Sequence, residues 1–209
     1  MKVLAINGSA RKDGNTAILI NTVFEELHKA GIETEMVQLS GKIMEPCKAC
    51  WACGGRKNCV HNKDIFQEIF EKMTQADGII LGSPVYTANI SANMQAFLER
   101  ASVVTDMNRN ENLFQHKVGA AVTAARRGGA LTTLDAMYHF FMLQNMFVVG
   151  SSYWAIGYGQ MPGDVQKDEE GLDTMRNLGR NMAYLLKALE ERRKSFEANC
   201  EAAFRPQSV

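Results

Sequence analysis

Apolar residues along the chain fall alternately into short continuous runs and helical stripes. Val3-Leu4-Ala5-Ile6, inside Lys2–Asn7, is a run of the kind left by a strand buried on both faces. Thr16–Ala30 follows, with Ile20, Val23, Phe24 and Leu27 on one side and Gly31 as a stop, and predicts a helix. Thr34–Leu39 predicts a second strand. Asp64 is placed to cap a helix carrying Ile65, Phe66, Ile69, Phe70 and Met73. Gly78–Gly82 reads as a third strand and Ser91–Arg100 as a third helix. Val118–Thr123, Ala130–Leu143 and Met146–Val149 give a fourth strand, a fourth helix and a fifth strand. A helix at about 172–193 closes the pattern, its seam of Met175, Leu178, Met182, Leu185 and Leu189 expected to pack on a sheet. Ser40–Lys63 and Ser151–Glu170 carry no periodicity.

Strand–helix alternation of this kind predicts an α/β fold, a doubly wound parallel sheet with helices on both faces. Five strands suit an open sheet better than an eight-stranded barrel, and the ligand crevice of such a sheet lies at the carboxyl ends of its strands. The 209 residues read as one domain, 1–209, with a cysteine-rich loop at 40–63. Lys plus Arg equals Asp plus Glu, 23 each, which gives no reason to expect nucleic acid or an anionic membrane as partner. The chain opens on an apolar strand rather than on a basic segment and a long apolar run, and no stretch approaches a membrane span. A cytoplasmic location is expected, and there clustered cysteines serve as ligands or redox groups more readily than as disulfides.

Three loops after strands draw attention. In the first, Ser9, Asn15 and Thr16 bring donors to a strand-to-helix turn, Arg11 brings positive charge, and Gly8 and Gly14 let backbone amides converge. The loop lacks both the Gly-Lys-Ser/Thr ending of a triphosphate loop and the dinucleotide fingerprint, so a terminal monophosphate suits it best. The plain alternative is a hydrophilic connection with Asn15 or Thr16 as a helix cap. The second loop, Ser83–Ser91, contains Pro84, which stiffens the turn, and Tyr86, which offers a flat face. The third, Thr123–Gly129, has a glycine pair allowing close approach of a planar ligand and Arg126 to balance a ring anion. Each of these two loops, taken singly, is equally a solvated turn.

Gly8-Ser9-Ala10-Arg11 with Gly14-Asn15-Thr16, Gly82-Ser83-Pro84-Val85-Tyr86 and Arg126-Arg127-Gly128-Gly129 together resemble the flavodoxin-like NADPH-dependent FMN reductase family, over roughly the first 150 residues. The resemblance implies strand order 2-1-3-4-5 and bound FMN. It assigns Ser9, Arg11, Asn15 and Thr16 to the phosphate. It assigns Pro84, Val85, Tyr86, Thr87, Ala124, Arg126, Gly128 and Gly129 to the isoalloxazine ring.

Cys47, Cys50, Cys53 and Cys59 sit within thirteen residues as C-x2-C-x2-C-x5-C. A [4Fe–4S] cluster needs four thiolates, and three at successive x2 spacings can take up one cube from a single turn. Structural zinc also takes four cysteines, though commonly as two separated pairs. A redox disulfide would use one C-x-x-C pair and leave two thiols unexplained, and inert buried cysteines would not crowd into a polar loop. Lys48, Arg56, Lys57 and Lys63 are near enough in sequence to offset a cluster's negative charge. The spacing resembles that of the iron–sulfur flavoproteins, a branch of the same family, which implies all four cysteines as cluster ligands and a homodimer or homotetramer. Val60 stands where ordinary bacterial ferredoxin runs place a proline, which argues against a ferredoxin domain.

No catalytic side chain is assigned. Cys200 reads as a spare thiol, Trp51 as a packing residue, and His28, His61, His116 and His139 as scattered surface residues. The expected function is electron transfer between a one-electron carrier such as ferredoxin, or NAD(P)H, and a small two-electron acceptor. Two rivals are a cluster-free NAD(P)H-dependent reductase of quinones or nitro compounds and a zinc-stabilised binding protein on the same scaffold.

Overall fold

The computed structural model describes residues 1–203, with side chains through residue 190. Cys200 therefore lies outside the residues whose side chains are described.

Strand β1 (Lys2–Asn7) lies inside the sheet, flanked by the edge strand β2 (Glu33–Gln38) and by the central strand β3 (Gly78–Pro84). Beyond β3 come β4 (Val118–Ala125) and β5 (Phe147–Val148), giving the order β2-β1-β3-β4-β5, all parallel. A sixth strand, β6 (Ile156–Tyr158), also pairs with β4. With β3 on one edge of β4, the other edge is shared: β5 covers Val118–Gly119 and β6 resumes at Thr123–Ala125. The chain leaves this edge after Val149, whose N–H donates to Gly119, and returns where Thr123 donates to Ala155 O. The expected order 2-1-3-4-5 is present, and a sixth strand shares the fifth position.

Helices α1 (Asn15–Lys29) and α5 (Glu169–Ala203) cover one face, and α2 (Phe66–Gln75), α3 (Ala92–Asp106) and α4 (Ala130–Leu143) cover the other. Strand alternation divides the core accordingly. Val3, Ala5 and Ile80 face α1 and α5, while Leu4, Ile6, Ile79 and Leu81 face the other three helices. Phe66, Phe70, Phe97, Phe114 and Phe141 fill that second face and are fully buried, each contributing roughly 1.5–3 kcal/mol of apolar burial. On the first face, Met175, Leu178 and Met182 of α5 are buried, with Leu185 and Leu189 partly so, as the seam predicts. Helix α5 starts at Glu169 and α3 runs on to Asp106, both longer than the sequence pattern indicated. Among the described residues no helix is long and apolar enough to cross a membrane.

Candidate functional site

The carboxyl ends of β1, β3, β4 and β6 meet at one rim. The Gly8 N–H donates to Gly82 O at 2.7 Å, joining the β1 loop to β3. A Cβ on Gly8 would lie 2.9 Å from Ser91 Oγ, so glycine lets this loop reach the start of α3. Ser9 is buried; its N–H donates to Asn7 Oδ1 at 3.0 Å and its Oγ accepts the Arg11 N–H at 3.1 Å. No side chain caps the amino end of α1, and its first turn holds no acidic residue. That end therefore presents free amides and the positive pole of a helix dipole to an anion.

The predicted phosphate residues are brought together but used unequally. Arg11 is exposed and reaches Gln160 O at 3.4 Å. Thr16 is buried, with its methyl packed near Gly82. The Asn15 carboxamide is taken up by the chain after β6: it donates to Met161 O at 3.0 Å and accepts from Gly163 N at 2.9 Å. Asn15 thus offers an anion its backbone amide, while its side chain anchors the 161–163 segment as a second wall of the site.

The ring-side loops close on one another. Tyr86 and Asn89 exchange backbone hydrogen bonds at 2.9 and 3.1 Å around Thr87 and Ala88, which hold φ of 52° and 56°. Both central residues are left-handed, a geometry usually given to glycine or asparagine and costly for these two side chains. Val85, Thr87, Ala88, Arg126, Arg127 and Gly128 line an open cavity of about 390 Å³. Pro84 and Ala124 are register partners beneath it, and Val85 N donates to Ala124 O. Tyr86 is exposed and does not line the cavity. Arg127 and Ala88 were not singled out from the sequence. The Arg126-Arg127 tandem carried the signal for the first, while the second depends on contact between distant loops.

The four cysteines gather on the side facing α3. All four line a small cavity of about 20 Å³ together with Trp51, His61, Arg100, Val103 and Val104. Ala49, Trp51, Gly55 and Lys57 have positive φ, so the chain curls repeatedly between thiols. Ala49 N–H points at Cys47 Sγ, 3.4 Å away, and Cys50 Sγ lies 3.5 Å from His61 Nε2. Asn108 donates to Cys53 O at 3.0 Å and Gln67 donates to Cys59 O. Cys53 is buried and Cys50 exposed; burial, before any charge effect, pushes the Cys53 thiol up. Among the described residues no three His, Cys, Asp or Glu side chains are arranged around a single metal ion. The four side chains are all thiols, soft donors of the chemical kind that iron–sulfur groups take, and the Ala49 amide contacts one of the sulfurs.

Expectations for this loop change in part. Lys48 lines the cavity while pairing with Glu45 at 2.8 Å, whereas Lys57 pairs with Glu111 at 2.7 Å. Beside the exposed Lys48, the cavity wall holds a second, buried cation, Arg100, which the local pattern gave no reason to select. His61 approaches a thiol instead of standing apart on the surface, and Trp51 is 58% exposed rather than packed.

Residues 1–160 match the model of the NADPH-dependent FMN reductase family. The chain is 38% identical over 198 residues to an iron-sulfur flavoprotein of Methanocaldococcus jannaschii, covering 91% of this chain and 100% of that protein. It is 32% identical over 195 residues to an iron-sulfur flavoprotein of Methanosarcina thermophila, covering 92% and 99%. A WrbA-like flavodoxin from Agrobacterium tumefaciens superposes with a TM-score of 0.59 at 17% identity, covering 90% of this chain and 97% of that one, a likeness of fold. A zinc-stabilised binding protein is set aside by these matches, and the strand-end rim, the uncapped α1 terminus and the sheet order take their place in a known plan: the chain belongs to the NADPH-dependent FMN reductase family, as an oxidoreductase and flavoprotein on a flavodoxin-like sheet.

Proposed function

We propose that the chain binds FMN at the strand-end rim, holds a [4Fe–4S] cluster on Cys47, Cys50, Cys53 and Cys59, and transfers electrons between a one-electron carrier such as ferredoxin and a two-electron acceptor. The observation that carries this reading is the convergence of four thiols on one cavity that a buried arginine helps to wall. The names of the two relatives point the same way. When bound, the cluster supplies single electrons and the flavin one or two, so that the pair joins the two kinds of chemistry.

The chain's own residues supply position and polarity. The amides at the start of α1, with Ser9, Arg11 and Thr16, would hold the phosphate, while Asn15 fixes the opposing wall. Val85, Thr87, Arg126 and Gly128 would border the ring, with Pro84, Ala124 and Gly129 supporting them and Tyr86 at the edge. Arg126 and Arg127, both exposed, would favour an anionic ring and draw in anionic partners. A homodimer or homotetramer in the cytoplasm completes the proposal. Anaerobically purified protein is expected to carry about four iron and four sulfide per chain beside one FMN. FMN without iron would leave only the flavin part of the reading standing.

The open 390 Å³ cavity beside Arg126 and Arg127 favours a second reading, in which NAD(P)H reduces FMN directly and no cluster takes part. Rapid bleaching of the flavin by NADPH after all four cysteines are changed to serine is its signature.

A further inference from the structure

We propose that Arg100 is a positioning residue for the four-cysteine segment, and that its guanidinium favours the reduced form of the group held there. The inference rests on the reading of Cys47, Cys50, Cys53 and Cys59 as cluster ligands.

Arg100 projects from the middle of α3 and is 2% exposed. Nη1 donates to Glu45 O at 3.1 Å and Nη2 donates to His61 O at 3.0 Å. Glu45 lies just before Cys47 and His61 just after Cys59, so one planar group ties both ends of the segment to the same point on a rigid helix. Asp64 completes the clamp. Its Oδ2 accepts from Arg100 and also from Glu45 N at 2.8 Å, while Oδ1 accepts from Phe66 N at the start of α2. The guanidinium carbon sits 4.1 Å from the centroid of the Phe66 ring, which fixes the plane of the fork.

The polarity of the pair is directional. Arg100 is part of the cavity wall with the four thiols, and Asp64 is not. A thiolate-ligated cluster is already anionic and gains a further negative charge when it takes an electron. A cation in its wall therefore stabilises the reduced form, and the carboxylate behind that cation partly offsets the effect. Buried ion pairs are weak warrant for stability, because desolvation offsets their attraction. Here the specific geometry is the informative part: a lysine ammonium could keep the charge but not the fork spanning two carbonyls and a carboxylate.

The test uses full-length Arg100→Gln, Arg100→Lys and Asp64→Asn, each checked for cooperative thermal unfolding. Each is then reconstituted anaerobically with iron and sulfide, and the midpoint of the cluster is titrated optically. Arg100→Gln is expected to weaken cluster uptake about 10-fold or more, as supporting residues around a metal site do. In its loaded fraction the reduced-to-oxidised ratio at fixed potential falls about tenfold, a midpoint lowered by about 59 mV for one electron. Asp64→Asn moves the midpoint the opposite way. Arg100→Lys keeps the wild-type midpoint with impaired uptake. If Arg100→Gln does not fold, the upward shift in Asp64→Asn and the split behaviour of Arg100→Lys still decide the matter. Wild-type uptake and midpoint in the arginine variants, or shifts of one sign in all of them, would overturn the inference alone. A wild-type protein that takes up no iron and sulfide would instead overturn the cluster reading beneath it.

Discussion

A Cβ on Gly129 would lie 2.7 Å from the Cα of Ala88 and 3.0 Å from Val85 Cγ1. Gly129 precedes α4 with φ of 84°, so it meets the β3 loop in a backbone state that other residues enter at a cost. Gly129→Ala adds a left-handed penalty of about 1–2 kcal/mol to a clash with backbone. The variant is expected to melt lower and to bind FMN more weakly, since the Thr87–Ala88 turn must retreat. Calorimetric melting and a fluorescence titration of FMN check this. Unchanged flavin affinity with a lowered melt would remove the turn from the ring site.

Asn15 separates two functions that its sequence position had merged. Asn15→Ala loses the bonds to Met161 and Gly163, at about 1–2 kcal/mol, and is expected to speed hydrogen exchange at Gly163 N–H. Asn15→Asp keeps an acceptor for Gly163 and places a carboxylate favourably at a helix amino end. That carboxylate would also face the bound phosphate. Asn15→Asp loses the donor to Met161 O, so it is expected to melt lower than wild type, lose affinity for FMN about tenfold or more through like-charge repulsion, and lose much less affinity for riboflavin. Equal loss for both flavins would place the phosphate elsewhere.

The sheet order comes from the family resemblance of the three loops, whereas most element limits follow from local pattern, because buried strands and amphipathic helices leave periodic traces. Strand β6 left none: Ile156-Gly157-Tyr158 is too short to alternate, and its glycine avoids Leu19 and Val165, side chains that no local reading associates with it. Arg100 misled for a similar reason. It stood as the expected end of α3, whereas the helix runs on to Asp106 and the side chain turns inward to a carboxylate 36 residues earlier. The gathering of the four cysteines was legible because they all come from one short segment. The buried arginine in their cavity wall was not, since it arrives from another helix.

Thiol reactivity should order the cysteine loop. The thiolate is the attacking form, and burial raises the Cys53 pKa while Cys50 is exposed beside His61. In reduced, metal-free protein treated with limiting iodoacetamide, mass spectrometry is expected to find Cys50 alkylated first and Cys53 last. Cys53 reacting as fast as Cys50 would mean that the free segment does not hold this conformation.

The clasp between α1 and α5 should show itself in acid. Gly179 lets the helices approach so closely that a Cβ there would lie 2.7 Å from Val23 O, and beside it Glu26 accepts from Lys29 at 2.6 Å and Arg180 at 3.0 Å. The Lys29 hydrogen bond first, and then Arg180, outweigh desolvation and hold the Glu26 carboxyl below its ordinary 4.5. A group with a depressed folded pKa binds protons more readily when unfolded. Its contribution is complete above the unfolded value and disappears as pH falls through the folded one. Other carboxylates, Glu35 and Asp64 among them, are depressed as well, so the wild-type curve alone cannot isolate Glu26. Glu26→Gln can. At neutral pH the variant is expected to be less stable than wild type, with Lys29 and Arg180 exposed enough that the gap stays modest. Urea midpoints measured from pH 7 downward should converge below pH 4.5, where the wild-type carboxyl takes up its proton. A gap that stays constant through that window would assign the loss to packing and not to charge.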